Sequence, residues 1–125
     1  MSSLYFTKLV SLLLMIKPSH IYGTTVCKDT KECAGQDLTE SDKIYCASYY
    51  SCSNTLMNAD SVFCQGNFGC KDAQIVTEDT TNCVGHRSCY SSDIKSSNNI
   101  YCDGKYVCQY AKLSAENIYI YGDYG

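Results

Sequence analysis

The stretch Ile100-Tyr101-Cys102-Asp103-Gly104-Lys105-Tyr106-Val107-Cys108-Gln109-Tyr110-Ala111-Lys112-Leu113 is one unit of a repeat, and its reading decides the fold. Two cysteines enclose five residues; a β-branched residue stands two places before the first, and a small residue and an aliphatic follow the second. The unit recurs upstream. Cys27 and Cys33, Cys46 and Cys52, Cys64 and Cys70, and Cys83 and Cys89 are further C-x5-C pairs, and the pairs return every 18 or 19 residues. Self-similarity at that period marks a chain wound into like coils.

Aligned on the first cysteine, the segments are Thr25-Val26-Cys27, Ile44-Tyr45-Cys46, Val62-Phe63-Cys64, Thr81-Asn82-Cys83, Ile100-Tyr101-Cys102 and Ile118-Tyr119-Ile120. Period-two alternation puts the β-branched residue and the cysteine on one face and the middle residue on the other. Asp29, Ser48, Gly66, Gly85, Gly104 and Gly122 share the column two residues past the first cysteine, and its four glycines predict a turn with positive φ. Beyond the second cysteine come Thr55-Leu56-Met57, Ala73-Gln74-Ile75, Ser92-Asp93-Ile94 and Ala111-Lys112-Leu113, while Gln36-Asp37-Leu38 keeps only the aliphatic. These predict a second short strand, followed by a polar turn of four or five residues. The expected fold is all-β: a parallel β-solenoid (β-helix) of about 5.5 coils, with rungs hydrogen-bonded ~4.8 Å apart.

Such a core is thin, holding one β-branched residue, two cysteines, a small residue and an aliphatic per coil. It does not by itself offset the entropy of ordering so many polar residues. Ten cysteines allow about 945 pairings, and two are natural here: within each coil, or up and down each column. Each column holds five cysteines, so pairing along the stack strands one thiol per column. The last coil has Ile120 at the first cysteine position and the sequence given stops before the second. One bridge inside each coil is therefore expected. Closing a seven-residue loop stabilises by roughly 2.4 kcal/mol in the chain-entropy model.

Residues 1–23 stand outside the repeat. Lys8, the apolar run Leu9-Val10-Ser11-Leu12-Leu13-Leu14-Met15-Ile16, and Lys17-Pro18 read as a secretory signal peptide cut near Gly23. The run is too short to span a bilayer. The remaining domain, 24–125, carries all ten cysteines, which points to a disulfide framework and an extracellular location. It holds eight Lys/Arg against thirteen Asp/Glu, a net charge of −5. That balance disfavours nucleic acid and anionic membranes as partners. No N-x-Ser/Thr sequon occurs.

The pairs Cys46-x5-Cys52, Cys64-x5-Cys70, Cys83-x5-Cys89 and Cys102-x5-Cys108, with Ala73 and Ala111 after the second cysteine, resemble the disulfide-bridged β-solenoids, of which the hyperactive beetle antifreeze proteins are the best-known example. The resemblance covers residues 25–125 and is architectural. The coils here are longer, and Tyr45, Phe63, Asn82, Tyr101 and Tyr119 stand where that family's Thr-Cys-Thr array would carry ice binding. Ice binding is not expected.

Two surface columns carry the candidate chemistry. Outward aromatics at Tyr45, Phe63, Tyr101 and Tyr119, and a column four residues past the first cysteine at Tyr50, Phe68, Arg87, Tyr106 and Tyr124, offer apolar faces to sugar rings or a partner protein, with a cation–π contact at Arg87. Equally, aromatic ladders simply stabilise stacked rungs. Asp42, Asp60, Asp79, Asn98 and Glu116 form an acidic column. It suits calcium, or acid–base cleavage of a polysaccharide, but its commoner role is in solvated turns. The C-x5-C spacing falls outside zinc-ligand pairs, and His86 has no nucleophile motif around it, so no metal, cofactor or catalytic residue is expected. The strand Asn117–Tyr121 leaves an edge that invites end-to-end self-association or belongs to a longer array of which this sequence is a part. The functional expectation is a secreted, non-catalytic structural or interaction scaffold for display, adhesion or matrix assembly. Two other functions fit the same residues: a carbohydrate-binding or polysaccharide-active β-helix, and a secreted cysteine-rich effector or inhibitor that binds a host protein.

Overall fold

The structure, a computed structural model, describes residues 20–21 and 23–122, so the expected signal peptide lies almost wholly outside the described residues. Within them run nine strands and no helix: β1 (His20–Ile21), β2 (Thr24–Cys27), β3 (Asp37–Cys46), β4 (Leu56–Gln65), β5 (Gln74–Val84), β6 (Asp93–Ser96), β7 (Asn99–Asp103), β8 (Lys112–Ser114) and β9 (Asn117–Tyr121). Strands β2 to β5 stack in parallel. β5 pairs with both β6 and β7, which pair with β8 and β9. β1 lies antiparallel against β2. The result is a parallel β-solenoid of about five turns.

The register follows the repeat. Cys27, Cys46, Cys64, Cys83 and Cys102 sit one above another, with Ile120 completing the column. Every bridge closes within its own coil: Cys27–Cys33, Cys46–Cys52, Cys64–Cys70, Cys83–Cys89 and Cys102–Cys108, with Cα atoms 5.8–6.2 Å apart. No cysteine is free, which fits an oxidising environment.

The two strands expected per coil merge in the middle of the stack. β3, β4 and β5 run ten or eleven residues without a break, and the polar segment is a bend inside each strand rather than a separate turn. Register shifts there, between Leu38 and Ser41 and between Ala59 and Ser61, absorb the one-residue difference between 18- and 19-residue coils. Hydrogen bonds to neighbouring rungs carry the ladder around the bend. Further along, the path separates into β6 and β7, and then β8 and β9.

The C-x5-C segments form turns with an alternating hydrogen-bond pattern. The second cysteine donates to the next coil, as in Cys33 N–H to Ser51 O at 2.8 Å and Cys52 N–H to Gly69 O at 2.7 Å. Its neighbours close tight turns on their own coil, as in Glu32 N–H to Asp29 O at 3.0 Å and Ala34 N–H to Lys31 O at 3.2 Å. Two columns adopt the left-handed conformation: Lys31, Tyr50, Phe68, Arg87 and Tyr106, then Gly35, Asn54, Asp72, Ser91 and Tyr110. The expected glycine column is confirmed at Gly66, Gly85, Gly104 and Gly122. Its upper members have a second reason to be glycine: a Cβ on Gly104 would stand 2.8 Å from the Gly85 carbonyl oxygen.

The interior matches the alternation. Ile44, Val62 and Ile100 on one wall, Met57, Ile75 and Ile94 on the other, and the cystines between them are fully buried. In the coil of β5 this pattern turns polar. Thr81 takes the Ile/Val position, and its hydroxyl forms a closed triangle with those of Thr77 and Ser96, with edges of 2.6, 2.8 and 3.2 Å. Three hydroxyls in a ring each donate once and accept once, so burial leaves none of these donors unmet. Ser88, also fully buried, has no hydrogen-bond partner for its hydroxyl among the described residues.

These two sites give opposite expectations for the same substitution. Ser96→Ala leaves a buried threonine donor unpaired and lowers unfolding free energy by about 1–3 kcal/mol, whereas Thr77→Val/Thr81→Val/Ser96→Ala costs less than that single change. Ser88→Ala is neutral or stabilising by up to about 1 kcal/mol. Urea unfolding of the oxidised variants measures all three.

Candidate aromatic binding surfaces

The outward face of the strands carries the first ladder. Parallel register aligns Tyr45 with Phe63, Phe63 with Asn82, Asn82 with Tyr101, and Tyr101 with Tyr119. Tyr45 and Phe63 stack at 4.8 Å between ring centroids with planes 7° apart, and Tyr101 and Tyr119 at 4.9 Å with planes 10° apart. Such stacking has a consequence for binding. Each ring spends its face on the ring of the next rung, so a filled ladder shows solvent mainly ring edges. Faces of the kind that grip a sugar are free only where the ladder is interrupted or ends.

The second ladder lies in the disulfide-closed turns. Tyr50 and Phe68 stack at 4.9 Å with planes 4° apart. The Arg87 guanidinium then takes the place of a ring, 5.6 Å from the Phe68 centroid and 5.1 Å from that of Tyr106. It also lies 5.8 Å from Tyr90, and no carboxylate among the described residues forms an ion pair with it. The aromatics hold this cation through their ring quadrupoles, and its flat shape suits the stack as a lysine would not. Tyr124, expected to extend the column, lies outside the described residues.

Three residues that the column reading missed complete this surface. Tyr49 packs edge-on against Tyr50 at 4.4 Å and Phe68 at 6.1 Å. Tyr90 does the same to Phe68 at 6.2 Å, and Tyr110 to Tyr90 at 5.4 Å. Tyr110 is 73% exposed and Tyr49 45%. The signal was present: Tyr49 directly precedes Tyr50, and Tyr90 directly follows Cys89. On the same side, His86 meets Tyr106 edge-on and Lys105 lies 5.5 Å from the Tyr106 centroid.

Electrostatics on this face are mild. A hydrogen bond with Tyr50, assisted by desolvation, raises the Tyr49 phenol above the ordinary tyrosine value. The side-chain hydrogen bond to Asp72, then its charge, raises the Lys71 ammonium. That pair stands at 3.1 Å with both partners about a third exposed, so it contributes little to stability.

The acidic column follows the bend. Asp42, Asp60 and Asp79 lie inside β3, β4 and β5, and Asn98 and Glu116 between later strands. Asn98 donates to the Asp79 carboxylate at 2.7 Å, which satisfies one acid through an amide from the next rung. Among the described residues, the groups of donor atoms that converge within 4.8 Å are disulfide sulfurs, one of them with Glu32 nearby. No protein-family model, curated protein or solved structure matches this chain.

If Arg87 is a rung of the turn ladder, Arg87→Ala lowers stability by about 1–2 kcal/mol, Arg87→Lys recovers less than half of it, and Arg87→Tyr recovers most. Thermal unfolding of the three variants checks the order.

Proposed function

We propose that the chain is a secreted, non-catalytic scaffold whose disulfide-closed turns present a rigid aromatic surface to another extracellular molecule, in display, adhesion or matrix assembly. The observation that carries this is the turn cluster of Tyr49, Tyr50, Phe68, Arg87, Tyr90 and Tyr110. Each of these side chains leaves a coil clamped by a disulfide and by bonds to neighbouring coils. A surface ordered in advance loses little entropy on binding, and tyrosine and arginine are the residues that supply most interface energy. A protein surface is the partner that this mixture of exposed phenols and stacked cation fits best. Secretion agrees with five disulfides in a chain of this size.

Tyr49→Ala/Tyr110→Ala tests this surface against an array of immobilised extracellular proteins. Wild-type protein is expected to bind at least one with defined stoichiometry, and the double variant to bind it roughly tenfold more weakly or worse, at an unchanged unfolding temperature. Equal binding by the variant, or cleavage of any polysaccharide in a reducing-end assay, overturns the reading.

End-to-end association has its own observation. On the last described rung, Ile118, Ile120 and Tyr121 are 42, 47 and 56% exposed. A coil edge of this kind is a template for another strand. Sedimentation velocity is expected to show concentration-dependent association that Ile118→Lys/Ile120→Lys abolishes, and a monomer at every concentration would refute it.

A further inference from the structure

We propose that the interruption of the strand ladder at Asn82 is a slot for one pyranose ring of a neutral oligosaccharide. The geometry begins with what is missing. Phe63 and Tyr101 are aligned on either side of Asn82, and each has spent one face on its other neighbour, Tyr45 or Tyr119. Their remaining faces look toward the rung between them. Two rungs separate their ring positions by about 9.6 Å. A ring seated midway stands about 4.8 Å from each, the spacing that the ladder itself uses where it is filled. The slot is thus one ring thick, and its walls are apolar.

The floor is polar. Asn82 is half-buried and its side-chain amide makes no hydrogen bond among the described residues. It offers a carbonyl oxygen and two N–H groups to a ligand that brings hydroxyls. Its outward neighbours along β5 are Thr80 and Val84, and the rungs on either side add Gln65, Asn99 and Asp103. These flanks hold hydroxyl, amide and one carboxylate, and no cation. A phosphate or sulfate finds no counter-charge there, which removes nucleotides and acidic glycans. A neutral pyranose has two C–H-rich faces for the aromatic walls and equatorial hydroxyls for the rim. The turn ladder offers no equivalent, because the Arg87 guanidinium fills its gap. The slot is independent of the turn surface, and either can fail without the other.

Asn82→Tyr is the deciding variant, since it completes the ladder instead of damaging the fold. Binding of cellohexaose, mannohexaose and N-acetylchitohexaose is followed by NMR chemical shifts and tyrosine fluorescence, with adenine as a planar non-sugar probe. Wild-type protein is expected to bind at least one hexasaccharide saturably. Asn82→Tyr is expected to raise the unfolding temperature and to weaken that binding roughly tenfold or more, as loss of two ring contacts implies. Phe63→Ala and Tyr101→Ala weaken it too, while Leu56→Ala, on the second strand segment of its coil, does not. The proposal is overturned if no hexasaccharide binds, if only adenine binds, or if Asn82→Tyr binds as tightly as wild type. Loss of sugar binding in Tyr49→Ala/Tyr110→Ala but not in Asn82→Tyr would also overturn it, and would move the sugar to the turn surface.

Discussion

The alignment of one coil on the next is the constraint from which the rest of this structure follows. Side chains alternate along a strand, so a slip of one residue turns every inward residue outward. Here a slip would expel the cystines and the Ile44–Val62–Ile100 wall together. The cystine in each coil makes that error costly twice over. It fills the interior with two sulfurs that have nowhere else to go, and it fixes the width of the turn that the next coil must match. Stacked cystines, stacked rings and stacked glycines are all consequences of the same alignment.

Alignment also explains how so polar a chain holds a fold. A coil of 18 or 19 residues has room for few large apolar side chains, and the coil of β5 gives up one of them for Thr81. The fold tolerates this because the next coil places Ser96 where it closes a hydroxyl ring. The same logic recurs at the small position after the second cysteine. The hydroxyls of Thr55 and Ser92 each donate at 2.7 Å to the carbonyl of the cysteine three residues earlier. In coil after coil, polar atoms enter the interior with a partner supplied by the backbone of their own turn or by the rung beside it. Among the described residues the Ser88 hydroxyl departs from this, and its column neighbours Gly69 and Val107 show that the fold asks for no hydroxyl there.

Much of this was legible in the residues, because repetition turns one weak signal into a column of them. The C-x5-C pairs revealed the coil, and alternation revealed which residues face inward. The odd number of cysteines per column argued for bridges inside each coil. Other features left less trace. The later left-handed column uses residue types that favour that conformation at Gly35, Asn54 and Asp72, though not at Ser91 and Tyr110. The column of Lys31, Tyr50, Phe68, Arg87 and Tyr106 does not, so its backbone comes from the closed turn rather than from local preference. The continuous bend in β3, β4 and β5 escaped for a related reason: polar residues at a corner read as a turn, although backbone bonds to the neighbouring coils continue through it. Tyr49, Tyr90 and Tyr110 fall in no single column and meet only in three dimensions.

A regular array and a recognition site place opposite demands on the same surface. Regularity consumes ring faces and backbone edges by pairing each with its copy on the next rung. What remains for a ligand lies where a copy is missing or replaced. Arg87 replaces a ring with a flat cation and keeps the turn ladder closed. Asn82 replaces a ring with a short amide and leaves the strand ladder open, with one aromatic face exposed above it and one below. An amide is a poor strand residue for stability alone, since tyrosine or phenylalanine at that position would extend the stack without a break. Its presence in the middle of the column is therefore the place where this chain gives up stacking energy, and the geometry of the gap says what kind of ring would restore it.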